Sequence, residues 1–196
     1  MADGVDARLE EALREVAACL APGRRAYLER MYGGGLARYA ERLRRCGFAG
    51  LGHVLDAGCG FGQWSLALAG LNRQVSAVDS AGERLMATTR FAAAQGVGNL
   101  AIQRAEMHDL PFTAETFDAV FCYQVLQYLP WREALAEFAR VLKPGGLIYL
   151  NASGIGWFKH LWYNRHNEGP GEDPTLAAAQ VLTLAIHQFE NEVLTA

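Results

Sequence analysis

Apolar residues at Leu9, Leu13, Val16 and Leu20 recur at three- and four-residue steps, the spacing of one helical face, and Pro22-Gly23 ends that stretch. A second helical pattern covers 27–31, breaks at Gly33-Gly34-Gly35 and resumes from 36 to about 46. From His53 the texture changes, and short apolar runs alternate with helical patterns. The expected strands are His53–Ala57, 74–78, Leu100–Arg104, Phe117–Tyr123 and 147–151; the expected helices are Gln63–Ala69, 81–95 and 131–142. Continuous apolar runs of strand length mark strands buried on both faces. Their alternation with helices predicts an α/β fold, a doubly wound, mostly parallel sheet with helices on both faces. In such sheets ligands bind beyond the carboxyl ends of the strands, where the strand order switches.

The chain divides into an N-terminal helical cap (1–50), a ligand-binding core (51–152) and a C-terminal stretch (153–196) belonging to the same domain. That last stretch combines an aromatic segment (Trp157, Phe158, Trp162, Tyr163), a Gly/Pro/acidic loop and a helical pattern, within which 181–186 alone also reads as a strand. The aromatic segment reads equally as a lid over an apolar substrate and as a packing surface, for the domain or for the second copy in a homodimer.

Composition narrows the function. A length of 196 residues suits one domain, and 51% hydrophobic residues supply a core. A net charge of −3 lacks the positive excess by which proteins neutralise nucleic-acid phosphates, so no nucleic-acid partner is expected. Cys19, Cys46, Cys59 and Cys122 are scattered without a CxxC pair or a histidine at ligand spacing, which predicts reduced thiols, no metal site and a cytoplasmic location. No apolar run reaches membrane-spanning length, residues 1–11 are too polar for a signal peptide, and no membrane association is expected. The bias toward Arg, Ala and Gly suggests a GC-rich bacterial genome.

The first strand runs into Asp56-Ala57-Gly58-Cys59-Gly60-Phe61-Gly62, immediately before a helix. Such a turn lets a ligand approach the backbone and aims helix amides at it. Three details choose the ligand. The spacing is GxGxG, and Gln63 stands where a dinucleotide fingerprint needs glycine. Asp56 puts a carboxylate in the turn, which repels pyrophosphate and attracts a sulfonium or ammonium. Asp79, with Ser80 beside it, closes the second strand about 21 positions after Gly58, where it can accept both ribose hydroxyls. S-adenosylmethionine meets all three conditions.

With these residues the chain resembles the class I S-adenosylmethionine-dependent methyltransferases of small-molecule type. The resemblance starts at Val54–Gly62 of the first motif and continues with Val78-Asp79, Glu106-Met107-His108-Asp109-Leu110-Pro111-Phe112, Phe117–Tyr123 and Leu142-Lys143-Pro144-Gly145-Gly146. It implies a Rossmann-like core, with Asp56, Gly58, Cys59, Gly60 and Gly62 at the methionine moiety. Asp79 and Ser80 would then lie at the ribose, and Glu106 and Met107 at the adenine. Cys122 and Tyr123 would sit near the reacting methyl through their backbone. The family usually carries Asp where Glu106 stands, and Asp109 is an alternative acidic contact. Its terminal β-hairpin is incomplete in the 45 residues after Asn151. The Lys143-Pro144-Gly145-Gly146 segment is expected to end a helix and start a strand.

Methyl transfer from a sulfonium needs alignment more than a fixed triad, so no catalytic residue is assigned. Cys59 has no base beside it and is not expected to be a nucleophile. Cys122-Tyr123-Gln124-Val125 lacks the Asn/Asp-Pro-Pro-Tyr pattern of enzymes that methylate base amino groups or glutamine amides, which favours a small-molecule acceptor. Two other functions stay open: a non-catalytic or regulatory S-adenosylmethionine-binding protein, and an NAD(P)-dependent oxidoreductase on a similar fold. His108 and His160 are further, weaker site candidates.

Overall fold

In the computed structural model, residues 3–153 are described. Three helices come first, α1 (Asp3–Cys19), α2 (Pro22–Tyr32) and α3 (Ala37–Arg45). Then follow β1 (His53–Ala57), α4 (Gln63–Ala69), β2 (Gln74–Asp79), α5 (Gly82–Ala94), β3 (Leu100–Arg104), β4 (Phe117–Tyr123), α6 (Trp131–Val141) and β5 (Leu142–Asn151). The five strands lie in the order β3-β2-β1-β4-β5, every neighbouring pair parallel. The order reverses at β1, whose neighbours are β2 and β4, and a crevice therefore opens between the carboxyl ends of β1 and β4.

Alternation within the strands sorts the core into two layers. Val54, Val75, Ala119 and Phe121 face Tyr39, Leu43, Phe48, Trp64 and Leu68 of the α3–α4 side. Leu55, Ala57, Val78, Val120 and Cys122 face Ala134, Phe138 and Val141 of α6. The N-terminal helices extend the first layer, since Leu9, Val16, Leu20, Leu28 and Tyr32 pack on Ala87, Phe91 and Ala92 of α5.

Two boundaries differ from the sequence expectation. Pro22 begins a helix, at its N1/N2 position, where the missing N–H has no intrahelical partner to lose. Arg25 Nε donates to Ala17 O at 2.9 Å and closes the end of α1 instead. At the glycine break, Arg38 Nη2 donates to Arg30 O and Met31 O (3.0 and 2.6 Å) and satisfies the last carbonyls of α2.

The second difference is at residues 143–146, which lie inside β5. The pairing register jumps from Phe117↔Leu142 to Ala119↔Leu147, so these residues form a bulge that Gly145 permits with φ +74°. Lys143 Nζ anchors it by donating to Asp118 Oδ1 at 2.7 Å. The aromatic segment, the C-terminal helical pattern and the incomplete hairpin all fall outside the described residues.

Phe91 is fully buried, its ring 5.1 Å from that of Tyr32. Phe91→Ala should lower the unfolding free energy by about 3–5 kcal/mol, read from urea denaturation, because the cavity opens where three helices meet.

Candidate cofactor site

The five-residue turn after β1, 58–62, holds three left-handed glycines. Gly58, Gly60 and Gly62 have φ of +83°, +56° and +79°. A Cβ on Gly58 would come within 2.4 Å of Val125 Cγ2, and one on Gly62 within 2.4 Å of Thr88 Cγ2. A Cβ on Gly60 would meet nothing within 4 Å. Gly58 and Gly62 thus let β4's exit loop and α5 close on the turn, while Gly60 leaves its surface open.

Hydrogen bonds from several elements pin this turn. Gly58 N and Cys59 N donate to Val78 O at 2.8 and 2.9 Å, and Gly62 N donates to Cys59 O at 2.9 Å. Thr88 Oγ1 donates to Gly60 O at 3.1 Å, and Tyr32 Oη reaches from α2 to donate to Phe61 O at 2.7 Å. The chain's own hydrogen bonds therefore fix the path of the turn.

Its chemistry is acceptor-rich. Asp79, 3% exposed, accepts from Gly60 N (3.0 Å) and Ala81 N (2.9 Å), with Arg84 Nη1 at 3.4 Å. Two carboxylate oxygens offer about four lone-pair sites and three are engaged, so capacity remains for a ligand hydroxyl. Asp56, 2% exposed, accepts from Ser65 Oγ at 2.6 Å. Burial pushes its carboxyl up to about 7, and the Asp79 charge adds to that, while the Ser65 hydrogen bond opposes it. Gln63, the first residue of α4, is buried, and its Oε1 has no hydrogen-bond partner among the described residues. An unpartnered buried acceptor is costly, and a cationic ligand amine satisfies it. Buried carboxylates, an orphaned amide oxygen and the open face of Gly60 together fit the ammonium, sulfonium and ribose groups of S-adenosylmethionine. They do not fit a pyrophosphate.

The other candidates sort by position. Ala105 N donates to Asp79 O at 3.2 Å, so the 106–109 turn starts beside the end of β2. Within that turn Met107 is buried, while Glu106, His108 and Asp109 are exposed, as is Ser80. Cys122 points into the α6 layer, and burial pushes its thiol up to about 12. Burial likewise raises the Cys59 thiol, which keeps it protonated and inert. The Tyr123 ring is half-buried, 4.9 Å from that of Trp64. Gln124 follows with a left-handed φ of +59° and donates its N–H to Asn151 O at 2.7 Å. His160 lies outside the described residues.

Sequence reasoning missed Gln63 as an acceptor, because the position stood out only for lacking glycine. Tyr32, Thr88 and Val125 reach the turn from remote segments and carry no local signal.

Residues 54–146 match the family model described as a methyltransferase domain. The chain is 36% identical over 115 residues to the methyltransferase YodH of Bacillus subtilis, covering 59% of this chain and 49% of that protein. It is 27% identical to the ubiquinone/menaquinone biosynthesis C-methyltransferase UbiE of Geotalea daltonii, covering 78% of this chain and 69% of that protein. Among solved structures, YcgJ of Bacillus subtilis superposes with a TM-score of 0.51 at 29% identity, over 54% of this chain and 45% of that one. The chain spans about half the length of YodH and less than half of the solved YcgJ chain.

Two outcomes follow from the geometry. Gly62→Ala adds both the Thr88 clash and left-handed strain, so it should destabilise the fold by about 2 kcal/mol or more in thermal or urea unfolding. A carboxyl whose folded pKa is raised binds more protons folded than unfolded. The ligand-free protein should therefore lose stability as pH rises from about 4, the ordinary aspartate value, to about 7, and Asp56→Asn should flatten that slope.

Proposed function

We propose that this chain, which carries a class I S-adenosylmethionine-dependent methyltransferase domain, transfers a methyl group to a small-molecule acceptor. The observation that carries the reading is the pair of buried carboxylates, Asp56 and Asp79, on either side of the glycine turn, with Gly60 open and Gln63 Oε1 unpartnered at the start of α4. The family match over 54–146 supports it.

When bound, S-adenosylmethionine supplies an electrophilic methyl on a positively charged sulfur. Asp56 and the backbone from Gly58 to Gly62, including Cys59, hold the methionine moiety, and Gln63 Oε1 accepts from its ammonium. Asp79 and Ser80 hold the ribose; Glu106 and Met107 meet the adenine. The backbone at Cys122 and Tyr123 lines the reacting end. Transfer of that methyl to an acceptor's lone pair would leave a neutral thioether, with the acceptor's proton passing to water. Alignment and exclusion of water supply most of the acceleration in such a site.

The N-terminal cap (1–50) closes over the core (51–152) and shapes the acceptor pocket. Two observations support the cap's role: Tyr32 grips the glycine turn, and α1 packs on α5. The protein acts in the cytoplasm on a dissolved metabolite; among the described residues no helix is long and apolar enough to cross a membrane.

Calorimetry with S-adenosylmethionine and a labelled methyl-transfer assay over a metabolite panel test this reading. Asp56→Asn and Asp79→Ala should each weaken cofactor binding at least about tenfold, near 1.4 kcal/mol. A cation beside Asp56 favours the ionised carboxylate. Affinity should therefore rise from pH 6 to pH 8, and binding near pH 7 should release protons, seen as a dependence of binding heat on buffer ionisation enthalpy. Binding without transfer to any acceptor would instead indicate a non-catalytic cofactor-binding protein.

A further inference from the structure

Arg42 is fixed in place at the carboxyl edge of the sheet without being neutralised. Its guanidinium carbon lies 5.3 Å from the Tyr123 ring centroid and 5.8 Å from that of Trp64, and Nη2 donates to Tyr149 Oη at 2.9 Å. The rings themselves are locked, with Phe121 and Tyr149 stacked at 4.9 Å. Two other arginines of α3 are engaged differently. Arg45 pairs with Glu41, and Arg38 donates into the carbonyl end of α2. Arg42 has no carboxylate within salt-bridge distance among the described residues. Ring faces and a phenol orient a guanidinium while leaving its full charge and most of its planar donor fork available.

The location gives that charge a use. Tyr123 is the last residue of β4, and Trp64 follows Gln63 directly. The guanidinium therefore lies over the last residue of β4, on the α3–α4 face of the sheet and toward β5, and Tyr123 is the residue whose backbone lines the reacting end in the reading above. Arg42 is exposed, so its free donors reach solvent beside the end of β4.

We infer that Arg42, held by Trp64, Tyr123 and Tyr149, selects acceptors that carry a carboxylate. This rests on the methyltransferase reading above and names its substrate class. The fork of Arg42 takes the carboxylate bidentately, which orients the acceptor and sets an anion beside a cationic cofactor.

The test uses the full chain. Labelled methyl transfer is measured over hydroxylated and aminated acids, such as 3,4-dihydroxybenzoate, each paired with its own primary amide. In parallel, tryptophan fluorescence of the S-adenosylhomocysteine-saturated protein is titrated with the same pairs. Wild type should favour acids over amides at least tenfold. Arg42→Gln should bring that ratio to within about twofold by raising KM for acids, with kcat for amides and S-adenosylmethionine affinity unchanged. Arg42→Lys should keep part of the preference. A purely structural arginine would change melting temperature without moving the acid-to-amide ratio. Equal treatment of acids and amides, a preference that survives Arg42→Gln, or no response to either class overturns the inference. Failure of wild type to bind S-adenosylmethionine or its demethylated product would instead overturn the underlying methyltransferase reading.

Discussion

Two carboxylates kept out of water are the constraint around which the site is arranged. Asp79 ends β2 and Asp56 stands one residue before the end of its parallel neighbour β1, and both are nearly inaccessible. Burying such groups without a cation is unfavourable, and the protein offsets only part of the cost. Asp79 receives two backbone amides and has Arg84 Nη1 at 3.4 Å, whereas Asp56 receives only the Ser65 hydroxyl and is held protonated more readily than an ordinary aspartate. The remaining imbalance is the reason that a positively charged ligand fits.

That imbalance can persist only because the turn around it is rigid. Strand β2, helix α5 and helix α2 each fasten a different peptide of the turn, through Val78, Thr88 and Tyr32. On the β4 side, Val125 closes against Gly58, and Gln124 is tied to Asn151 of β5. Strained or crowded backbone here is stabilised by ordinary packing in the layers beneath, above all the Phe121–Tyr149–Trp64 group.

Much of this was legible from the residue pattern. Buried parallel strands such as Val54-Leu55 and Val120-Phe121-Cys122 read as apolar runs, and β1, β3 and β4 match the expected strands at both ends. The Asp56–Gly62 and Asp79 positions stood out because spacing alone places them at strand ends. Pro22 and the 143–146 bulge misled because Pro and Gly punctuate chains in several ways, and only the partner decides which. The side chains that fasten the turn were invisible, since Tyr32 and Thr88 meet it across 29 and 28 positions of sequence, and local pattern carries no such distances.

The bond from Tyr32 to Phe61 O makes the first helices and the cofactor turn a single thermodynamic unit. Whatever firms up the turn must firm up the docking of α2 by the same free energy, and loosening α2 must slacken the turn in return. The amino-terminal segment is thereby a reporter of occupancy: amide exchange in α2 would register what is happening at a pocket that this helix need not touch.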